Sequence, residues 1–434
     1  MLVALRYGHG WLEAELPDHW RVDMLEPPAV AGLSPDSARA AAQRAVDRPV
    51  GCPSLREMAG RASRVVIVVS DITRPAPNAL ILPLILDRLS SAGLGPERVT
   101  ILIATGMHRP ATPEELREIV GDEALASGVE IASHKAAVKD DHVYCGSTQF
   151  GTPVWVDRRY AEADLRIVIG LVEPHCMAGF SGGPKAICPG IVGSDTIMVF
   201  HGPRILSSSR AVQGNMESNP VYEEEWHVAR LAGLPDLCIS FVLNARREVV
   251  DVVGGEMGAA HRAACEKARD AVAAYVNRPA ELVLTSAAGY PLDLTFYQGA
   301  KGLIAAGPIV RDGGGIILVE RNAEGAGSES FAKLLRSCSD FREWLPDPDV
   351  LEASQIDEWQ MRKIAQVASK ATIVNVCPDA TPELRGTIPL LTVDSVEDAI
   401  AALDRQGIIN AAGQVHAAVM PEGPYTLPLI RALA

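Results

Sequence analysis

Short apolar runs rich in β-branched residues alternate along this chain with segments whose leucines and isoleucines recur at helical spacing. Arg64-Val-Val-Ile-Val-Val-Ser70 reads as a strand, Asn78–Ser91 as a helix, and Val99-Thr-Ile-Leu-Ile-Ala104 as the next strand. Thr112-Pro-Glu-Glu115 then combines an N-cap threonine, proline in the first helical position and a glutamate at N3, which predicts a helix start. Further strands are expected at Val129–Ala132, Leu165–Val172, Cys238–Asn244 and Val249–Val253, before a helix from about Glu256 to Val276. Runs that are apolar on both faces belong to buried parallel strands rather than half-exposed antiparallel ones.

Asn277-Arg-Pro279 looks like a boundary, because the rhythm restarts after it. Glu281–Thr285, a helix near Phe296–Ala306, Gly315–Glu320, two later helices and Ala371–Val376 follow. The expected fold is two α/β domains. A larger, Rossmann-like N-terminal domain is expected over 1–276, to which the end, 407–434, could return, and a smaller C-terminal domain over 277–406. The region before the first strand is rich in proline and alanine and yields no assigned element.

With 434 residues and 48% hydrophobic residues, the chain has enough apolar side chain for more than one core. Its net charge of −14 argues against nucleic acid or an anionic membrane as partner. No stretch approaches the roughly 18 apolar residues of a membrane span, and the start, Met-Leu-Val-Ala-Leu-Arg-Tyr-Gly, lacks the basic and apolar regions of a leader, so a cytoplasmic location is expected. Eight cysteines are scattered without a C-x-x-C pair, which points to small buried hydrophobes rather than a disulfide framework or zinc knuckle. Cys176 and Cys188 flank a glycine-rich segment and remain candidate ligands.

Three polar clusters each follow an apolar strand. Asp71-Ile-Thr-Arg-Pro75 follows the first, Thr105-Gly-Met-His-Arg-Pro110 the second, and Glu173-Pro-His175 the third. If the strands are parallel, all three emerge at one sheet edge, where ligands of open α/β sheets collect. Asp71 and Arg74 can be a turn with a surface arginine, or a rigidly held guanidinium fork for phosphate or carboxylate. His108 and His175 can be loop histidines, or two imidazoles facing one ligand, as inversion of a stereocentre by two acid/bases requires.

The third cluster runs into Gly179-Phe-Ser-Gly-Gly-Pro-Lys185, which overlaps two familiar patterns. G-x-S-x-G would make Ser181 a hydrolase nucleophile, but Glu173–Ala178 separates it from its strand. A Walker A loop needs Gly-Lys-Ser/Thr in sequence, whereas Pro184 precedes Lys185 and Ala186 follows it. The glycines would let backbone amides approach a bound group, with Lys185 placed to meet an anion or be modified. His201 precedes Gly-Pro and has no H-x-x-x-H or H-E-x-x-H partner, so a metal there would need ligands from elsewhere, for instance from a cofactor. Gln298 and Lys301 lie three apart on one helix, which suits a solvated surface or an anionic substrate.

Taken together, Asp71–Arg74, Ala104–Pro110, Glu173–His175, Gly179–Lys185 with Pro189-Gly190, and Tyr297-Gln298-x-x-Lys301 resemble the nickel-dependent lactate racemase family. The likeness extends from Tyr7-Gly8 through Gly214-Asn215 and Asn219-Pro220 to Trp359. The resemblance implies an active site in the cleft between the two domains and a nickel-pincer nucleotide, a pyridinium mononucleotide whose two sulfur-containing arms hold nickel. It further implies that Lys185 carries the cofactor through a thioamide, that His201 is the nickel ligand, and that Asp71, Ile72, Thr73 and Arg74 bind the cofactor. His108 and His175 would be the catalytic pair. Arg74, Tyr297, Gln298, Lys301 and Trp359 would bind or enclose a 2-hydroxy acid substrate. The implied activity is racemisation or epimerisation at C2 by reversible hydride transfer, with dedicated enzymes making the cofactor. A serine hydrolase using Ser181 and a non-catalytic phosphate-ligand or cofactor-binding protein remain the alternatives, and the sequence leaves substrate and oligomeric state open.

Overall fold

The computed structural model describes residues 1–74, 76–350 and 352–431. Contacts divide the chain into two compact units, a larger one of 29–201 with 208–271, and a smaller one of 1–28, 202–207 and 272–434.

The larger unit is built on a six-stranded sheet whose order is Val249–Gly255, Leu237–Leu243, Leu165–Val172, Val65–Ser70, Val99–Ala104, Glu130–Ser133. All neighbours are parallel except the first pair, which is antiparallel. Val65–Val69 are all buried, and so are all but Arg166 of Leu165–Val172, which is why these runs show no polar alternation. The helix Asn78–Ser91 buries Ile81, Leu82, Ile85 and Leu89 against this sheet. Thr112 caps the helix Pro113–Val120 with a reciprocal capping box to Glu115. The chain runs outward in one direction from the 65–70 strand and in the other from the 165–172 strand. The topological switch point therefore lies between these neighbours, and Asp71 and Glu173 leave the sheet on either side of it.

The smaller unit has its own six-stranded parallel sheet, in the order Leu391–Val393, Val374-containing Ala371–Val376, Val310–Val319, Ala280–Ser286, His416–Met420, Arg21–Met24. The hairpin of Leu2–Tyr7 and Gly10–Glu15 packs Val3, Leu5 and Ala14 into the core of that sheet.

Two expectations from the sequence differ here. The tail expected to complete the N-terminal domain supplies a strand between Ala280–Ser286 and Arg21–Met24, so 407–431 and residues 1–28 belong to the smaller unit. Residues 432–434 lie outside the described residues. The helix expected to reach Val276 ends at Val272, and Ala273–Val276 forms a strand paired in parallel with Leu427–Ile430. Tertiary pairing thereby overrides the helical preference of Ala273 and Ala274. Among the described residues no helix is long and apolar enough to cross a membrane.

Candidate functional site

The strands 65–70, 99–104 and 165–172 are parallel members of one sheet, so the three clusters that follow them emerge at one edge. Pro75 of the first cluster lies outside the described residues. Asp71 is buried, and its Oδ1 accepts from Thr73 N at 3.2 Å and from Thr73 Oγ1 at 2.6 Å. Its Oδ2 stands 2.6 Å from Nδ1 of His108. Burial opposes ionisation of Asp71, but the hydrogen bonds from His108 and Thr73 and the charge of Arg74 outweigh it and hold its pKa below the usual carboxylate value. An ionised carboxylate only accepts, so His108 carries a proton on Nδ1, and in the neutral ring the lone pair is on Nε2, on a side chain that is 60% exposed.

His175 lies in a two-residue antiparallel ribbon, Pro174–His175 with Gly179–Phe180, that closes the turn after the third strand. Its Nδ1 accepts from the backbone N–H groups of Met177 at 3.4 Å and Ala178 at 3.2 Å. Two donors aimed at Nδ1 leave the ring proton on Nε2. The two histidines therefore arrive in opposite tautomers, one offering an acceptor at Nε2 and the other a donor.

Arg74 is held rather than loose. Its Nη1 donates to Thr73 O at 2.9 Å and its Nε lies 3.3 Å from Glu173 Oε1. Arg247 engages the other Glu173 oxygen at 3.2 Å. Glu173 thereby holds two guanidinium groups at the switch point, where such a fork can meet a phosphate or carboxylate. Ile72 lines a small concavity here together with Ser70, Asp71, Arg74 and Asn78.

Lys185 sits on the short 3-10 turn Gly183–Ala186 and is half-buried. Burial lowers its pKa against the opposing pull of Glu225, with Arg74 adding to the lowering. His201 ends the helix Ser194–Phe200, and its Nδ1 lies 2.9 Å from Ile197 O. That carbonyl can only accept, so Nδ1 carries the proton and the ring's lone pair is on Nε2. Burial pushes its pKa down to about 4, which keeps the ring neutral. Among the described residues no group of three or more His, Cys, Asp or Glu could hold a metal.

Two sequence readings change. The glycine segment is required by packing: a Cβ at Gly183, whose φ is +52°, would meet the His261 ring at 2.5 Å, and one at Gly179, with φ +79°, would meet Asn215 O at 2.2 Å. Ser181 is not a nucleophile poised beside a base. Its hydroxyl donates to Leu171 O at 2.7 Å and accepts from Glu173 N at 3.0 Å, while the neighbouring His261 bonds the Ser181 carbonyl at 2.9 Å. This fixes Ser181 as a brace between strand and loop.

The sequence reading also missed residues. Glu173, seen only as part of a motif, organises Arg74 and Arg247. Asn219 caps the helix Pro220–Ala232 and donates to Met177 O at 2.9 Å, tying that helix to the His175 loop. Glu224 and Glu225 occupy the buried face of the same helix. The signal for them is visible: Val221, Glu224, Glu225, Val228, Ala229 and Ala232 follow one apolar stripe, in which two carboxylates are out of place.

In the smaller unit the helix Phe296–Ala306 carries Tyr297, Gln298 and Lys301. Trp359 Nε1 donates to Tyr297 Oη at 3.1 Å, and Gln360 donates to Tyr297 O at 2.9 Å, so the structure brings Tyr297 and Trp359 together. Gln298 is partly exposed, but its Oε1 is buried without a hydrogen-bond partner.

Comparison with known proteins identifies the family. Residues 7–214 match the family described as "Lactate racemase N-terminal domain", and 276–424 match "Lactate racemase C-terminal domain". The chain is 30% identical to a lactate racemase of Lactiplantibacillus plantarum over 93% of this chain and 95% of that one. It is 28% identical to a lactate racemase of Thermoanaerobacterium thermosaccharolyticum over 97% of each. The solved lactate racemase apoprotein of the latter organism superposes with a TM-score of 0.88 at 27% identity, covering 99% of this chain and 100% of that one. A Thermotoga maritima protein at 18% identity and a TM-score of 0.65, covering 93% of this chain and 100% of that one, shares the fold. With both family domains present and these relatives matched over nearly their whole length, the chain belongs to the lactate racemase family, a family of isomerases.

Proposed function

We propose that this protein inverts the C2 stereocentre of a 2-hydroxy acid, lactate or a larger analogue. The observation that carries this reading is the pair of histidines at one sheet edge, with Nδ1 of His108 set as a donor by Asp71 and Nδ1 of His175 set as an acceptor by two amides. A racemase needs one group to take a proton and another to give one, and these two tautomers supply both.

The residues present fit a nickel-pincer nucleotide. His201 offers a neutral Nε2 with its ring oriented by Ile197 O, a donor suited to a metal held otherwise by the cofactor. Arg74, braced by Glu173, is a phosphate-binding fork beside the Asp71-Ile72-Thr73 turn, and Lys185 is an amine whose charge is disfavoured by burial. When bound, this cofactor supplies a pyridinium carbon that takes up and returns the C2 hydride.

The protein's part is proton transfer and orientation. His108 Nε2 takes the hydroxyl proton of one enantiomer as C2 loses hydride. After the resulting 2-keto acid turns over, His175 Nε2–H protonates the carbonyl oxygen, and the roles exchange for the opposite hand. Arg74 steers the anionic substrate, and Tyr297, Gln298, Lys301 and Trp359 are its further binding residues. Maturation enzymes are the expected partners.

The test is chiral chromatography of lactate incubated with matured full-chain protein. His108→Ala and His175→Ala are each expected to slow interconversion about 10²–10⁴-fold. Wild-type turnover in either single variant rules out the two-histidine reading.

A further inference from the structure

Glu224 and Glu225 are adjacent and fully buried, yet their surroundings differ. Glu224 accepts from Thr148 Oγ1 and lies 3.1 Å from His227 Nδ1. Both carboxyl oxygens of Glu225 are buried without a hydrogen-bond partner. A carboxyl kept in such a place calls for an explanation, since an apolar side chain of similar size would fill it without the desolvation penalty.

The explanation lies in what the helix faces. Asn219 fixes the start of the helix Pro220–Ala232 to the His175 loop, and the helix packs on the turn that carries Lys185. Lys185 is the charge that acts on Glu225, and Glu225 is the leading charge that acts on Lys185. Burial drives both toward neutrality, raising the acid well above the usual carboxylate range and lowering the amine. The other charged or titratable groups that act on Lys185 are Arg74, Cys176 and Cys188, and the pair in turn acts on His201, Tyr222 and Cys265. Arg74 further disfavours a second positive charge on Lys185.

We propose that Glu225, whose carboxyl has no hydrogen-bond partner on the helix packed against the Lys185 turn, is the proton donor for covalent attachment at Lys185, with the Lys185 amine as the nucleophile. This rests on the reading of Lys185 as the attachment point. The step balances without an oxidant or reductant. The neutral amine adds to the carbon of a thiocarboxylate, a C–N bond forms, and the carbonyl oxygen leaves as water. Of the two protons in that water, one comes from the amine and one from Glu225, which ends ionised, and the product is a thioamide. Glu225 supplies its proton to the leaving oxygen during attachment and is not a member of the racemisation machinery.

The experiment uses the full chain matured in cells that make the cofactor, with the adduct on Lys185 followed by intact and peptide mass spectrometry. In parallel, the unmatured protein is treated with an activated acetyl ester, whose good leaving group needs no proton donor. Glu225→Gln is expected to slow cofactor attachment at least about tenfold while Lys185 still reacts with the ester. Glu225→Asp, which restores an acid, is expected to recover part of the attachment. Attachment at the wild-type rate in Glu225→Gln overturns the proposal. Loss of ester labelling together with attachment, or no recovery by aspartate, also overturns it, because Glu225 then only supports the turn. Absence of any adduct on Lys185 in the matured wild type overturns the attachment reading itself and is distinguishable from both.

Discussion

Asp71 Oδ2 lies 2.6 Å from His108 Nδ1, and the other Asp71 oxygen is fixed by Thr73, so the carboxylate sets both the orientation and the tautomer of the imidazole. Asp71→Asn keeps the shape but offers an amide that can donate as well as accept, which allows the proton to move to His108 Nε2. Turnover of the matured enzyme is expected to fall about 10²–10⁴-fold, the range of a mispositioned acid/base. The adduct on Lys185 should remain, as mass spectrometry will show. Full turnover in the asparagine variant shows that His108 is oriented by other means.

His201 presents Nε2 because its Nδ1 is held by Ile197 O. His201→Ala is expected to lower nickel per organic cofactor while the Lys185 adduct stays at least partly in place. Metal analysis of the matured variant beside intact mass checks this, and full nickel occupancy with normal turnover makes His201 structural.

Ser181 braces Leu171 and Glu173 through its hydroxyl. Ser181→Ala leaves buried backbone groups without that partner and is expected to destabilise the protein by about 1–3 kcal/mol. The wild type should take no adduct on Ser181 from a fluorophosphonate probe. Stoichiometric labelling of Ser181 would revive a hydrolase.

In the smaller unit Glu320 is fully buried, with Oε1 accepting from Asn322 and Oε2 unpaired, and burial pushes its pKa up to about 8. Between the unfolded value near 4.3 and this folded value, the unfolded chain has released the proton and the folded one retains it. Stability is therefore intact below the unfolded pKa and declines as pH rises through that window, by at most about 1.4 kcal/mol per pH unit from this group. Urea unfolding at pH 5 and pH 8 is expected to show a smaller decline in Glu320→Gln than in wild type. An equal decline in both removes Glu320 as the cause.

Much of the larger unit is legible in the sequence because its central strands are buried on both faces, and Val65–Val69 and Ile167–Val172 spell this out as unbroken apolar runs. Polar residues placed directly after such strands have little freedom in where they emerge, which is why Asp71, His108 and Glu173 to His175 could be put at one edge. Arg21–Met24 was invisible for the opposite reason. It is an edge strand with one firm apolar position, and its partner His416–Met420 lies nearly the whole chain away. Ala273-Ala274 reads as helix until the distant Leu427–Ile430 is known to pair with it. The glycines after His175 suggested a ligand cradle because a sequence cannot show that His261 and Asn215 occupy the space where their Cβ atoms would stand. Glu225 was legible in principle, as a carboxylate on an apolar helical stripe, but its meaning depends on Lys185, 40 residues earlier in the chain.

The central claim is inversion of C2 by hydride transfer with proton exchange confined to the oxygen. The most direct measurement is to incubate one enantiomer of lactate with matured full-chain protein in D₂O, separate the two hands, and read the isotope at C2 by mass spectrometry. Both enantiomers are expected, with protium retained at C2, because the hydrogen that leaves as hydride returns without passing through His108, His175 or water. Deuterium at C2 of the inverted product would mean proton abstraction from carbon and contradict the hydride mechanism, and no interconversion of lactate or of larger 2-hydroxy acids by protein shown to carry cofactor on Lys185 would contradict inversion at C2.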